Sequence, residues 1–323
     1  EGMAEGTVCV VGSAIRDLMC YTHVLPKVGQ TIKGTSFSVG FGGKGANQAV
    51  QAAMLGAHVN MVAKLGDDAY GKEYMSHFQK LGMACQHVGE RQGVATGVAL
   101  IMVDAAGNNS IVIIPGANDC LLPADVDKAR DTIQACRVCV CQLEVPVETT
   151  HRALEVAKAG GAATILNPAP AAHIPDVLYA LTDVLCPNET EAEVLTGVHV
   201  TDDDSARRAV MKLVEKGCKQ VVLTLGSRGC LVYDGTSFTH VAAPTVTAID
   251  TTGAGDSFIG CLATALSYGS SLVEAVTLAV HVASQSVTRT GTQSSYAALD
   301  ALPPCLTETS DAGNLRLRKA MQQ

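Results

Sequence analysis

Asp250-Thr-Thr-Gly-Ala-Gly-Asp256 runs directly into the apolar stretch Ser257-Phe-Ile-Gly-Cys-Leu-Ala-Thr-Ala-Leu266. A glycine-rich turn that opens a helix points free N–H groups outward at the positive end of the helix dipole. Such a place holds an anion, for example a phosphoryl group in transfer. A carboxylate beside an anion hole repels a phosphate unless it has work to do. The work available to Asp256 is that of a general base, taking a proton from a hydroxyl that then attacks. A first-turn acid that only caps the helix is the plainer alternative, and the glycines on both sides favour catalysis.

Three more segments carry chemistry. Gly40-Phe-Gly-Gly-Lys-Gly-Ala-Asn47 lets backbone come close to a ligand. Lys44 and Asn47 there supply a cation and a bidentate amide suited to hydroxyl groups. Its Gly40, Gly42 and Gly45 match the dinucleotide fingerprint in spacing only. The first strand ends near Gly12, and Lys64-Leu65-Gly66 stands where an acidic residue is needed. It contains no G-K-[ST], so it is not a Walker loop either. Pro187-Asn-Glu-Thr-Glu-Ala-Glu193 places Asn188 and Glu191 on one helix face, where they can serve a hydrated Mg²⁺ or a capping box, or both. Val221-Val-Leu-Thr-Leu-Gly-Ser-Arg-Gly229 reads as a strand ending in a backbone platform for the ribose and phosphates of a nucleotide.

These segments need a frame that brings them together. Short β-branched runs at Thr7–Gly12, Val59–Leu65, Val138–Leu143, Ala163–Leu166, Val184–Cys186 and Val221–Leu225 alternate with helical patterns. The patterns cover Gly45–Leu55, Tyr70–Leu81, Ala124–Ala135, Thr149–Ala159 and Ser205–Lys216. Alternation of this kind predicts an α/β fold, a mostly parallel central sheet flanked by helices, with ligands beyond the carboxyl ends of the strands. Two segments break the pattern. Residues 17–40 show little helical periodicity. Residues 96–115 read as a hairpin, Gly97–Val103 and Ser110–Ile114 around a turn at Asp104–Asn109. We expect them to form a small inserted β-sheet lid, with 1–16, 41–95 and 116–323 as the core. The apolar face of such a sheet must be covered, as a lid or at a dimer surface.

Composition bounds the rest. With 23 basic and 31 acidic residues in 323, the net charge is −8, which argues against nucleic acid as a partner. No run of 18 apolar residues and no basic-then-apolar leader appear, so no membrane span or secretory signal is expected and the cytoplasm is the default. Glu1-Gly2-Met3 reads as a cleavage scar before a native Met3, and the polar tail after Pro303-Pro304 as a partly frayed end. Twelve scattered cysteines read as reduced thiols. Cys136, Cys139 and Cys141 resemble a zinc run, but they fit a buried strand better and no second ligand pair follows.

Jointly, Gly42-Gly-Lys-Gly-Ala-Asn-Gln-Ala49 and Asp250-Thr-Thr-Gly-Ala-Gly-Asp-Ser-Phe258 resemble the two signatures of the PfkB-type carbohydrate kinases. Asn167-Pro-Ala-Pro-Ala171, Pro187–Glu193, Thr224–Gly229 and Gly291-Thr-Gln-Ser-Ser295 narrow the resemblance to the members that act on ribose. It runs from about Val8 to about Ser295, with the motifs in the family's order. The resemblance implies ATP-dependent phosphorylation of the 5-hydroxyl of D-ribose, with Asp256 as base and the amides of Gly253, Ala254, Gly255 and Asp256 as anion hole. It implies sugar contacts on Asp17, Gly43, Lys44, Asn47, Glu144 and Asp256, and ATP on Asn188, Thr224, Gly226, Ser227, Gly229 and Gly255. Mg²⁺ would lie near Asn188 and Glu191. A K⁺ ion would lie among Asp250, Thr252, Ser286, Arg289, Gly291 and Ser295, largely on backbone carbonyls. The lid would clasp a homodimer. Two positions depart from the family pattern. Ile15 stands where bacterial members usually have Asn, and Val280 stands where His or Asn is frequent, with His281 one place along. Kinases for another sugar or a nucleoside, and a catalytically silent sugar sensor, are the alternatives on the same fold.

Overall fold

A computed structural model describes residues 3–302; the expected scar at 1–2 and the tail from Pro303 lie outside the described residues. The strands are β1 (Thr7–Val11), β2 (Ile15–Tyr21), β3 (Ser36–Gly42), β4 (His58–Gly66), β5 (Ala84–Arg91), β6 (Gly97–Val103), β7 (Asn109–Ile114), β8 (Val138–Cys141), β9 (Ala163–Leu166), β10 (Val184–Leu185), β11 (Gln220–Thr224), β12 (Cys230–Tyr233) and β13 (Phe238–Val241). The helices are α1 (Lys44–Met54), α2 (Ala69–Lys80), α3 (Pro123–Lys128), α4 (Arg130–Ala135), α5 (Val147–Gly160), α6 (Asp176–Leu181), α7 (Glu189–Thr196), α8 (Asp203–Glu215), α9 (Ala254–Ser267) and α10 (Leu272–Ser286).

Nine strands form one sheet in the order β13-β12-β11-β10-β9-β8-β1-β4-β5. It is parallel from β5 to β11 and closes with two antiparallel strands. The central strands are apolar on both faces, as a sheet covered by helices on two sides requires. Val8 and Val10 of β1 belong to one core, shared with residues of α1, α9 and α10, whereas Cys9 and Val11 belong to the other, shared with residues of α5 and α8. Cys139 pairs with Cys9 across β8 and β1. Cys136, Cys139 and Cys141 are buried in the second core, as small hydrophobes.

A second sheet has the order β3-β2-β6-β7. Its ladder starts at Ile15 and ends at Gly42, because Ile15 pairs with Gly42 and Arg16 with Phe41. Strand therefore extends two residues past each end of the 17–40 segment, and the glycines 40–42 are strand rather than turn. Asn109, expected in the hairpin turn, pairs with Val103. The single helix expected over Ala124–Ala135 is two short ones that meet at Ala129. β5, β12 and β13 have no counterpart in the sequence reading. β5 and β13 are edge strands with polar residues at many positions, so their apolar signal is weak.

Candidate active site

Helices α1 and α9 approach so closely that a Cβ on Gly260 would sit 2.5 Å from the Gln48 carbonyl oxygen. Only glycine permits that contact, and it sets the first turns of the two helices side by side. Asp256, on the first turn of α9, is buried. Its Oδ2 accepts from Nδ2 of Asn47 and its Oδ1 from Nε2 of Gln48, both at 2.9 Å. The sequence suggested that the amide of Asn47 serves sugar hydroxyls bidentately. Instead both of its atoms are engaged, Nδ2 with Asp256 and Oδ1 with Nε2 of Gln293 at 2.9 Å. One N–H and one lone pair remain for a ligand. Gly253, at φ 76°, is the N-cap of α9, and its left-handed backbone turns the chain into the helix.

Asp17 of β2, Lys44 of α1 and Glu144 after β8 complete the polar cluster. Glu144 Oε2 accepts from Ser13 Oγ at 2.6 Å and from the Lys44 backbone N–H at 2.8 Å. Burial raises the Glu144 carboxyl above its ordinary range despite the nearby Lys44 charge. Burial also raises Asp17, to about 6, against a 3.3 Å hydrogen bond from Thr292. For the Lys44 ammonium, burial acts downward, but the charges of Asp256, Glu144 and Glu191 outweigh it and raise the group. The charges of the carboxylate cluster and of Glu191 on α7 thus favour the charged form of Lys44. Gly43 is the N-cap of α1 and follows the last residue of β3.

On the other side of the α9 N-terminus lies a cavity of about 590 Å³. Asn188, Thr224, Gly226, Ser227, Gly229 and Gly255, the residues on which the family resemblance implies ATP, all line it. Its apolar walls were not legible. They come from the 243–248 loop, from Phe258, and from Val280, Ala283 and Val287 of α10 and its end. Val280 faces this cavity, while His281 Nδ1 bonds the Thr277 carbonyl within α10 at 2.8 Å. Ile15 is buried with its Cγ1 directed at Gly97. Ala254 and Gly255 line the cavity while Asp256 faces α1, so the first turn of α9 stands between the nucleotide-sized cavity and the carboxylate cluster.

Asn188 and Glu191 form a complete capping box. The Glu191 N–H donates to Asn188 Oδ1 at 2.8 Å, and Glu191 Oε2 and Oε1 accept from Asn188 N and Nδ2 at 2.8 and 2.9 Å. Burial raises the Glu191 carboxyl, which Asn188 and Lys44 partly offset. Asn188 Oδ1 and both Glu191 oxygens are engaged in this box, so either residue would serve a Mg²⁺ only through the ion's waters.

Asp250 Oδ1 accepts from Thr252 N at 2.9 Å and its Oδ2 from Gly291 N at 2.8 Å, which ties the loop before α9 to the 291 segment. The backbone N–H of Asp250 and of Ile249 both reach the Val287 carbonyl at the end of α10. Ser286 accepts from the Arg289 N–H through its carbonyl, and Ser295 Oγ donates to the Thr292 carbonyl. Asp250 is the one carboxylate among these six residues, and both its oxygens hold amides.

Residues 6–299 match the family described as pfkB family carbohydrate kinase. The chain belongs to this family. Ribokinase of Mus musculus is 44% identical over 304 residues, covering 93% of this chain and 94% of that protein. Deoxyribokinase of Salmonella typhi is 42% identical, covering 91% and 96%. The structure of Arabidopsis thaliana ribokinase complexed with ribose and ATP superposes with a TM-score of 0.87 at 32% identity, covering 93% of this chain and 97% of that one. As a pfkB kinase the chain has the family's large, mostly parallel sheet and separate small sheet. Among the residues that build the carboxylate cluster, Gln48, Gln142, Gln293, Thr292 and Ser13 escaped the sequence reading as individuals. Gln48 lies inside the motif Gly42–Ala49, and Thr292 and Gln293 lie inside Gly291–Ser295.

Proposed function

We propose that this kinase transfers the γ-phosphoryl group of ATP to the 5-hydroxyl of D-ribose. The observation that carries the reading is the position of Asp256, with two amides orienting its carboxylate and the cavity suited to a nucleotide on the other side of its helix turn. The similarity to ribokinases over nearly the whole chain supports ribose as the sugar. In this account Asp17, Glu144 and Asn47, with the Gly43 backbone and the Lys44 ammonium, hold the sugar hydroxyls. Asp256 accepts the 5-hydroxyl proton as that oxygen attacks the γ-phosphorus in line. The bond from the γ-phosphorus to the β,γ-bridging oxygen breaks, and ADP leaves. The amides of Gly253, Ala254 and Gly255 face the charge on the transferring group, at the positive end of α9. Lys44 adds a fixed cation beside them. Mg²⁺ held near Glu191 would neutralise phosphate charge, and K⁺ in the 250–295 loop cluster would firm the anion hole from behind. ¹³C and ³¹P NMR of the product tests the regiochemistry. Phosphorus coupling at C5 supports the reading, and phosphate on C1 overturns it.

The lid also gives reason to expect a homodimer. By strand register Val39, Leu18, Leu100 and Val112 lie in one row across the small sheet. Leu100 and Val112 are 46% and 57% exposed. An apolar row of that kind suits a second copy of the same sheet. Light scattering tests it, with twice the chain mass expected and a single chain mass the contrary result. Buried free thiols such as Cys9, Cys139 and Cys141 suit a reducing compartment, which supports the cytoplasm.

A further inference from the structure

Asp256 is an acceptor only, and that fixes the direction of every hydrogen bond that leads away from it. The nitrogen of Asn47 must face its Oδ2, so Asn47 Oδ1 faces outward to Gln293. Gln293 must then present its NH₂ group, which donates to Asn47 Oδ1 at 2.9 Å and to the Tyr74 hydroxyl at 3.0 Å. Tyr74 is free to accept because its own proton goes to the Gly42 carbonyl. Gln293 Oε1 is left facing Nε2 of His77 at 2.8 Å, so that nitrogen must carry a proton. His77 is stacked flat on Phe41, with ring centroids 3.9 Å apart and planes at 6°. Burial lowers its titration below the ordinary histidine range, so at neutral pH it has one ring proton to place. A ring with that proton on Nδ1 would set two lone pairs against each other and release the Gln293 amide to turn over. A turned Gln293 would in turn favour Asn47 with its oxygen towards Asp256.

A second chain shows the same enforced direction. Gln48 gives its nitrogen to Asp256 Oδ1 and to Asn167 Oδ1, so its Oε1 accepts from Gln142 Nε2 at 2.6 Å. That leaves Gln142 Oε1 buried with no hydrogen-bond partner among the described residues. On that side the outermost amide oxygen has no partner, whereas the Asn47 side ends on His77, which donates to Gln293.

We infer that Gln293 and His77 are positioning residues that hold the Asn47 amide with its nitrogen towards Asp256. The inference rests on Asp256 taking the proton of the sugar hydroxyl. Histidine variants separate this role from packing, because packing and proton donation make opposite demands. His77→Phe keeps a flat ring on Phe41 and removes the donor. His77→Gln loses the ring but sets an amide nitrogen where Nε2 stood. In ribose-dependent ADP release, His77→Phe should lower kcat roughly tenfold to a hundredfold, the range for a mis-set catalytic group, with KM for ATP unchanged. His77→Gln should recover most of that loss. Gln293→Glu, which keeps shape and reverses the polarity towards Asn47, should lower kcat at least as far as His77→Phe. Full kcat in His77→Phe, or lower kcat in His77→Gln than in His77→Phe, would overturn the inference. A readout independent of turnover is ¹⁵N NMR of His77 in the wild-type protein. The Nε2–H tautomer is expected, and the Nδ1–H tautomer overturns the chain even if the protein phosphorylates no sugar. Wild-type protein inactive on every sugar, with the Nε2–H tautomer present, would count against the functional reading and leave the hydrogen-bond order standing.

Discussion

Nδ2 of Asn47 lies 2.9 Å from Oδ2 of Asp256, although 209 positions separate the two residues in the chain. The contact joins the two glycine-rich motifs of the sequence, one at the start of α1 and one at the start of α9. Each motif alone is an ordinary turn before a helix. Together they set a carboxylate at fixed orientation beside the N-terminus of α9, the arrangement on which the proposed phosphoryl transfer to an alcohol rests.

Replacing Asp256 by Ala should lower kcat by about 10² or more, the usual worth of a positioned general base. KM for ATP should change little, because the nucleotide-sized cavity is lined by Ala254 and Gly255 rather than by Asp256. Steady-state kinetics with both substrates varied will separate the two effects. Near-normal turnover would remove Asp256 as the base.

Gly260 tests whether helix spacing matters to the chemistry. A methyl group there meets backbone of α1 at 2.5 Å, so Gly260→Ala must push α1 and α9 apart. A loss of about 1–3 kcal/mol of stability is expected from overpacking. kcat should fall with it, since Asn47 and Gln48 move away from Asp256. Thermal melts and kinetics on the same preparation check both parts.

Much of this arrangement could be read before any coordinates. The parallel strands from β1 to β11 announce themselves because their residues are apolar on both faces. Lys44 and Asp256 could be picked out because a charged residue inside a glycine-rich turn is rarely idle, whereas Asp17 and Glu144, with no glycine beside them, came only from the family resemblance. Gln48, Gln142 and Gln293 were not legible, because an amide shows no periodicity and its value depends on which partner the fold brings to it. The walls of the cavity were hidden for a related reason. Val280, Ala283 and Val287 look like any buried helix face until the 243–248 loop is seen opposite them.

Asp17 gives a pH dependence with a definite sign. Burial raises its carboxyl from 3.8 to about 6. A group raised on folding contributes stability when protonated, fully present below 3.8 and lost as pH rises through about 6. The unliganded protein should therefore melt higher after Asp17→Asn at neutral pH, by an amount on the order of 3 kcal/mol at most. Sugar binding has the opposite demand, because the charged carboxylate accepts from hydroxyls. KM for ribose should rise as pH falls below about 6 in the wild type, and stay high and flat in Asp17→Asn. A wild-type KM independent of pH across that window would contradict the assignment.

The loop cluster around Asp250 predicts a monovalent cation effect. Exchange of Na⁺ for K⁺ at constant ionic strength should raise kcat, because carbonyl cages distinguish the two ions by size. Equal rates in the two salts would remove the site.

The most direct test of the whole account is ADP release with ATP, Mg²⁺ and K⁺, measured side by side on D-ribose, 2-deoxy-D-ribose, fructose and adenosine. The account predicts turnover that requires a sugar and is fastest by kcat/KM on D-ribose. No sugar-dependent ADP release, or a higher kcat/KM on any other member of the panel, would contradict it.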